Sequence, residues 1–105
     1  MIKHVRWRYL ALRVLSPEPV PRGDLTDAVW DAVLRLFGEH GASRANLGLV
    51  EHDPDGNRAV LRCPHTALDM VRASLASITE IRGKPVAIHV VGVSGTLKSL
   101  RERLP

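Results

Sequence analysis

Apolar residues alternate with other residues over positions 6–14, and this pattern predicts a β-strand. The residues predicted to face one side of a sheet are Leu10, Leu12 and Val14, and those facing the other side are Trp7, Tyr9 and Ala11. Prolines at positions 17, 19 and 21 follow. Because proline has no amide hydrogen to donate to a sheet, the strand is expected to end before them.

A first helix is predicted over positions 25–37, where apolar residues recur at helical spacing. Asp24 precedes this stripe and is the predicted N-cap. Gly38 and Gly41 follow it and are expected to end the helix, since glycine is common just past a helix C-terminus.

A β-hairpin is predicted next, from two short strand-like runs at positions 46–51 and 58–63. They are joined through the sequence DPDG at positions 53–56. Pro54 presets the φ angle of a type I turn, and Gly56 is expected to take the left-handed conformation that follows it.

A second helix is predicted over positions 68–78, where apolar residues again lie on one face. Thr66 and Asp69 have the spacing of a capping pair at its start. The helix is expected to end before Gly83 and Pro85.

The last predicted strand, at positions 86–93, is apolar on both faces, so each face needs cover. A short basic helix over positions 96–103 is expected to supply part of that cover through Leu97, Leu100 and Leu104. The element order is therefore βαββαβ followed by α. Since crossovers are right-handed, we expect an α+β, ferredoxin-like and RRM-like sandwich with a four-stranded antiparallel sheet, formed by residues 1–105 as one domain.

The composition shows that the chain is basic. The chain of 105 residues carries 15 basic and 11 acidic residues, for a net charge of +4, and arginine supplies most of the positive charge. The planar guanidinium group of arginine suits contact with phosphate. A surface whose charge only keeps the protein soluble would show the same excess of basic residues. The single cysteine excludes an internal disulfide, and every apolar run is shorter than the roughly 20 residues of a membrane span. These features predict a cytoplasmic protein that does not enter a membrane.

The basic residues are concentrated towards the two ends of the chain. They are Lys3, Arg6, Arg8 and Arg13 in the first part, and Lys98, Arg101 and Arg103 in the last part. The clustering favours an anionic partner that contacts both ends of the chain.

No residue set in the sequence has the spacing of a catalytic or metal site. The five histidines are scattered, Cys63 ends an apolar strand, and Ser94 and Thr96 lack an evident base. RNA-recognition motifs display aromatic residues on their first and third strands, and the third strand here has none. Trp7 and Tyr9 can stack on a base, but packing is the commoner role of such residues. We therefore predict no catalytic residue and no metal ligand.

The turn between the last strand and the last helix has two interpretations. Ser94, Gly95 and Thr96 form a flexible, capped junction with Lys98 behind it, which can hold a phosphate. The same residues also suit a turn that does no more than end the strand.

The chain resembles a known family, the archaeal ribonuclease P protein component 2, which is related to a small protein subunit of the eukaryotic enzyme. The matching segments are RYLA at 8–11, GL at 48–49, LRC at 61–63, VRASL at 71–75 and GVSGTLK at 92–98. Two departures are that the segment before Arg8 lacks a basic proline-rich arm and that Arg13 stands where relatives often have an acidic residue.

The resemblance implies a protein subunit of the ribonucleoprotein that removes the 5′ leader from precursor tRNA. The catalytic centre would be the RNA with its Mg²⁺ ions, so no cofactor is expected on the protein itself. The implied partners are ribonuclease P RNA, a barrel-fold protein subunit of the component 3 type and, indirectly, precursor tRNA, in a homodimer or heterotetramer. The predicted RNA-binding residues are Arg6, Arg8, Arg13, Lys98, Arg101 and Arg103, with Ser94, Gly95 and Thr96 as a phosphate-contacting turn.

Two other functions fit the same fold. A ligand-sensing regulatory module is the main alternative, but it leaves the basic ends without a role. A small phosphatase needs an anion-binding arginine loop after the first strand, and the sequence SPEP at positions 16–19 does not provide one.

Overall fold

The computed structural model describes residues 5–103, so Lys3 and Leu104 lie outside the described residues. Four strands form the main sheet and three α-helices pack on it. The elements are β1 (Trp7–Leu15), α1 (Arg22–Ala45), β2 (Gly48–Asp53), β3 (Arg58–Pro64), α2 (Leu68–Ser77), β4 (Glu80–Ile81), β5 (Lys84–Pro85), β6 (Ala87–Ser94) and α3 (Leu97–Arg103).

The main sheet has the strand order β2-β3-β1-β6, and every neighbouring pair is antiparallel. This arrangement confirms the expected ferredoxin-like sandwich with an added C-terminal helix. β1 and β3 are the central strands, so their side chains lie in the middle of each face of the sheet. A register shift between Ala11 and Leu12 leaves Val91 of β6 as a bulge between Val90 and Gly92.

The two faces of the sheet are covered by different helices. On one face, Leu10 and Leu12 of β1 pack with Leu25 of α1 and Val71 of α2 in the larger hydrophobic cluster. On the other face, Ala11 packs with Val60 of β3 and Leu100 of α3 in a smaller cluster. The alternation in β1 is thus confirmed, whereas Leu97 and Leu100 pack on residues of β1, β2 and β3 and leave Val91 of the last strand 50% exposed. The helical layer buries most of the apolar surface, and α3 closes only part of the opposite face.

The start and end of α1 differ from the sequence prediction. The N-cap is Pro21, and Asp24 lies in the first turn, where its carboxylate forms an ion pair with Arg82 at 3.0 Å. Gly38 leaves the helical conformation with a φ of 72°, as glycine can, but the helix then resumes to Ala45. The expected glycine stop is therefore a break within α1.

Two predicted turn features are also wrong in detail. Asn57, not Gly56, adopts the left-handed conformation, with a φ of 56°. Asparagine tolerates this region, and the Gly56 amide is instead held by the Asp53 carboxylate at 3.1 Å. At the second helix, a short 3₁₀ turn (His65–Ala67) precedes α2, and the N-cap Ala67 has no side-chain cap.

A two-stranded hairpin of β4 and β5 stands between α2 and β6 and is absent from the sequence prediction. Arg82 and Gly83 form its turn with φ values of 53° and 77°. Within residues 5–103, no helix combines the length and the apolar character that crossing a membrane requires.

Candidate nucleic-acid interface

A row of polar side chains crosses all four strands of the main sheet on the face that carries α3. Arg13 of β1 lies opposite Arg58 of β3 and, on its other side, opposite His89 of β6. Arg58 in turn lies opposite Asp53 of β2. Because directly opposed residues of antiparallel strands share a face, the two arginines are neighbours in the middle of this row.

α3 forms a wall beside this row. Leu100 is 1% exposed and packs on Ala11 and Val60, which holds the helix against the centre of the sheet. Burying a leucine side chain contributes roughly 1.5–3 kcal/mol, so this contact is sufficient to anchor a seven-residue helix. The polar residues that follow Leu100 are thereby placed over the sheet.

Two arginines of α3 reach from this wall to the strands. Arg101 forms an ion pair with Glu51 of β2, and Nη1 of Arg103 donates to the carbonyl oxygen of Val93 at 2.6 Å. An open groove of about 750 Å³ lies between α3 and the sheet. We name it the arginine groove after the four arginines that line it, Arg13, Arg58, Arg101 and Arg103.

The charge in the arginine groove is not balanced. Four arginines face two carboxylates, those of Glu51 and Asp53, and Glu51 is already paired with Arg101. Within residues 5–103, neither Arg13 nor Arg58 forms an ion pair. Like charges placed directly opposite each other destabilise a sheet by several tenths of a kcal/mol. The pair therefore does not help the fold, and a bound anion would relieve the repulsion.

Arg6 and Arg8 lie at the opposite end of β1 from Arg13. Arg6 is exposed just before the strand, and its carbonyl oxygen accepts the His65 amide at 2.7 Å. Arg8 is half-buried, and its Nη1 donates to the Trp7 carbonyl oxygen at 3.0 Å. The predicted RNA-binding arginines thus lie in two separate regions. Arg6 and Arg8 lie at the start of β1, whereas Arg13, Arg101 and Arg103 line the arginine groove.

The turn at Ser94, Gly95 and Thr96 is a capped helix start. Thr96 Oγ1 accepts the amide of Ser99 at 3.1 Å, which confirms that Thr96 caps the last helix. The Thr96 amide donates to Ser94 Oγ at 3.4 Å, so two amides of this turn are already engaged. Gly95 has no positive φ, and Lys98 is exposed on α3. Phosphate contact at this turn stays a prediction.

Sequence reasoning missed Arg58 and Arg62, which both lie on β3. Arg62 lies opposite Tyr9 on the α3 face, and its Cζ is 4.2 Å from the centroid of the Trp7 ring. The signal was present in the sequence, since Arg58, Val60 and Arg62 alternate and must share one face of the strand.

Cys63 is fully buried at the end of β3, next to Arg8 in the register of β1 and β3. Burial raises the pKa of its thiol to about 11, and the nearby Arg8 guanidinium only partly opposes this effect. Since the thiolate is the nucleophile, Cys63 is a packing residue at neutral pH. No group of three His, Cys, Asp or Glu side chains within residues 5–103 is arranged to hold a metal ion.

One groove on the helical side of the molecule carries an excess of acidic residues. A second groove between α1 and the β4–β5 hairpin is lined by the acidic residues Asp24, Asp27, Asp31 and Glu80 and by two arginines, Arg35 and Arg82. The two grooves therefore carry opposite net charge. An anionic ligand is attracted to the side of the arginine groove.

Comparison with known proteins gives a match over nearly the whole chain. The profile of the Rpp14/Pop5 family matches residues 8–105. A protein of Methanocaldococcus jannaschii named "Ribonuclease P protein component 2" is 40% identical over 95 residues, which cover 90% of this chain and 69% of that protein. The protein of the same name from Methanosarcina mazei is 35% identical over 96 residues, which cover 91% of this chain and 81% of that protein.

The fold has a counterpart among solved structures. A chain in the cryo-EM structure of yeast ribonuclease MRP matches with a TM-score of 0.73, covering 91% of this chain and 79% of that chain at 15% sequence identity. The arrangement of strands and helices is thus shared despite a low sequence similarity. The match of the family profile from the first strand to the C-terminal residue, together with relatives above 30% identity, shows that this chain belongs to the Rpp14/Pop5 family.

Proposed function

We propose that this chain is a protein subunit of ribonuclease P and assists the catalytic RNA in removing the 5′ leader from precursor tRNA. The observation that carries this proposal is the family match over residues 8–105, because it includes the sheet, the helices and α3 together. The archaeal relatives that bear the name of a ribonuclease P component cover the same part of the chain.

The arginine groove is the proposed contact with RNA. Arg13 and Arg58 carry charge that no described carboxylate pairs with, and the guanidinium group is suited to two-point contact with phosphate. Each phosphate that an arginine neutralises releases counterions, so binding should weaken steeply as salt is added. The groove between α1 and the β4–β5 hairpin has an excess of acidic residues, so RNA contact is less favourable there than at the arginine groove.

The polypeptide acts without catalytic residues of its own in this proposal. Cleavage belongs to the RNA and to the Mg²⁺ ions that its phosphates bind, and the protein holds no cofactor. By neutralising phosphates that would otherwise repel each other, the arginines let the RNA adopt its active fold at a lower Mg²⁺ concentration. Precursor tRNA is then recognised mainly by the RNA, and the protein contributes indirectly.

A protein partner is the second part of the proposal. We assign it to a barrel-fold ribonuclease P subunit of the component 3 type, within a homodimer-based or heterotetrameric assembly in the cytoplasm. Leu34, Leu36 and Phe37 of α1 are each more than 40% exposed, next to the break at Gly38. Large apolar side chains this exposed on a small domain are typical of a protein–protein contact.

Reconstitution tests the proposed function. The full-length protein is added to ribonuclease P RNA with the barrel-fold subunit, and cleavage of precursor tRNA is measured over a range of Mg²⁺ concentrations. We expect the protein alone to be inactive and the complete mixture to cleave faster at low Mg²⁺ than RNA alone. A variant with Arg13→Ala and Arg58→Ala should lose most of this stimulation.

The matched control carries Arg44→Ala and Arg72→Ala, which remove the same charge from exposed positions on α1 and α2. It should stimulate cleavage like the unmodified protein. Equal activity with and without the protein at every Mg²⁺ concentration would contradict the proposed function. A pull-down with Leu36→Ser tests the protein partner separately, and undiminished capture of the barrel-fold subunit would contradict the assigned contact.

A further inference from the structure

The Trp7 and Arg62 side chains form a stacked pair on the two central strands. The Cζ atom of Arg62 lies 4.2 Å from the centroid of the Trp7 ring. Arg62 lies opposite Tyr9 in the register of β1 and β3, and Trp7 is two residues before Tyr9, so all three share the face that carries α3. The pair therefore lies on the same face as the arginine groove.

The pair is only partly buried. Tyr9 packs partly against the cluster around Leu100, whereas Trp7 belongs to neither hydrophobic cluster of the described residues and is only partly buried. On the β2 side, Arg62 lies opposite Gly48, and a Cβ added there would lie 3.8 Å from Nη2 of Arg62. A glycine thus leaves the flank of the guanidinium without a neighbouring side chain.

The Arg62 guanidinium has unused bonding capacity. Its Nε is buried and has no hydrogen-bond partner among residues 5–103, and no described carboxylate forms an ion pair with it. Buried donors in proteins nearly always have a partner. The contact with Trp7 holds the guanidinium plane in place but supplies no acceptor, so the site is incomplete for hydrogen bonding.

A second arginine, Arg8, lies at the edge of the sheet near the pair. Arg8 is the next residue to Trp7, and its Nη1 lies 3.0 Å from the Trp7 carbonyl oxygen. The same Nη1 is 3.6 Å from a Cβ added to Gly95, so Arg8 lies beside the turn after β6. Arg6 is exposed one residue before Trp7. Because strand side chains alternate, Arg8 starts from the face opposite Trp7 and Arg62, and its guanidinium reaches the edge of the sheet beside Gly95.

We propose that Trp7 and Arg62 form a stacking site for one unpaired nucleobase of RNA, with the adjacent phosphate contacted by Arg8 from the edge of the sheet. This proposal rests on the proposed function and adds the class of RNA element that this end of the sheet takes, a single-stranded nucleotide. Aromatic rings and arginine planes both stack on bases that are free of a duplex. The N–H groups of Arg62 lie in the guanidinium plane, so its outer donors point beside the stacked base, towards the sugar and phosphate of that nucleotide.

Tryptophan fluorescence provides the direct test. The chain has two tryptophans, so Trp30→Phe in the full-length protein leaves Trp7 as the only indole. This variant is titrated with a short oligoadenylate and with an RNA duplex of the same length, while anisotropy of labelled RNA reports binding. We expect the oligoadenylate to quench Trp7 fluorescence at saturation and the duplex to leave it unchanged.

Variants of the pair then separate stacking from charge. In the Trp30→Phe background, Trp7→Leu and Arg62→Lys should each weaken oligoadenylate binding about tenfold, because lysine keeps the charge but not the plane. Trp7→Phe should retain most of the affinity. Arg58→Ala should weaken binding at low salt yet leave the maximal quenching unchanged.

Saturable binding without quenching of Trp7 would overturn the proposal and leave the pair as a structural contact. So would unchanged affinity of Arg62→Lys, and so would equal quenching by duplex and oligoadenylate. If Trp7→Leu fails to fold, the quenching of the Trp30→Phe protein still decides the question. A failure of the proposed function would give a different result. The protein would then neither stimulate cleavage of precursor tRNA nor show salt-dependent binding of ribonuclease P RNA.

Discussion

Arg13 and Arg58 lie directly opposite each other on β1 and β3, on the sheet face that α3 crosses. The two positive charges have no described ion-pair partner, and their positions follow from the register of the two strands. Two like charges held next to each other repel, and a bound anion would remove that repulsion.

Arg58→Ala should weaken binding of ribonuclease P RNA and lower the slope of log affinity against log salt by roughly one, since one phosphate contact is lost. Stability should change by no more than about 0.5 kcal/mol, because the repulsion from Arg13 and the attraction to Asp53, which both lie opposite Arg58, are removed together. Binding measured at several salt concentrations and urea unfolding check both effects. Arg72→Ala on α2 is the control, and an equal loss of slope in both variants would contradict the assignment.

Glu51→Gln should strengthen RNA binding by about two- to fivefold at low salt. The change removes a carboxylate that lines the arginine groove and frees Arg101 from its ion pair. The pair is exposed to solvent, so stability should change by less than about 1 kcal/mol. Glu39→Gln makes the same charge change at an exposed position of α1, and a similar gain there would attribute the effect to net charge alone.

Leu100→Ala should destabilise the protein by about 2–5 kcal/mol, because it opens a cavity above Ala11 and Val60. Urea unfolding measures the loss. Lys98→Ala, two residues earlier on the exposed side of α3, should change stability by no more than about 0.5 kcal/mol. If Leu100→Ala were equally mild, α3 would not be anchored by this leucine.

Lys98→Ala also tests the predicted phosphate contact at Ser94, Gly95 and Thr96. If Lys98 contacts a phosphate, the salt slope for RNA binding should fall by roughly one with the fold unchanged. An unchanged slope would mean that the turn only ends β6 and caps α3, as the hydrogen bonds of Thr96 already do.

Stability should fall steeply with rising pH above about 9 because of Cys63. Burial raises its pKa from 9.0 to about 11, so the neutral thiol is favoured by the folded state. That contribution is complete below the unfolded value and is lost as pH rises towards the folded value, at up to about 1.4 kcal/mol per pH unit. Urea unfolding between pH 8 and 10.5 should show a shallower decline for Cys63→Ala, and parallel curves would contradict this account.

Much of the fold follows from local patterns in the sequence. The alternation in β1 assigns Leu10 and Leu12 to one face and Ala11 to the other, because strand side chains point to opposite faces in turn. The apolar stripe of α1 and the apolar run of the last strand are also local patterns that the sequence shows directly. Each signal lies within about a dozen residues, so no knowledge of distant neighbours is needed.

The errors occur where local rules compete with contacts from elsewhere in the chain. Asp24 has the chemistry of an N-cap, but Pro21 begins the helix and Asp24 pairs with Arg82 of the β4–β5 hairpin. That hairpin has strands of two residues each, too short to show any periodicity. Such features depend on which segments meet, and propensity does not contain that information.

In the candidate sites, too, some features follow from local patterns and others from contacts between distant segments. By itself, the sequence determined that Arg13 shares a face of β1 with Ala11 and that Arg58 and Arg62 share a face of β3. Only the tertiary structure decided that Arg13 meets Arg58, that Arg62 stacks on Trp7 and that Arg101 reaches Glu51. The face to which a side chain points follows from the alternation within its own strand. Which residues of two strands lie opposite each other depends on the register between the strands. That register is set by the burial of Leu10, Leu61 and their neighbours in a common core.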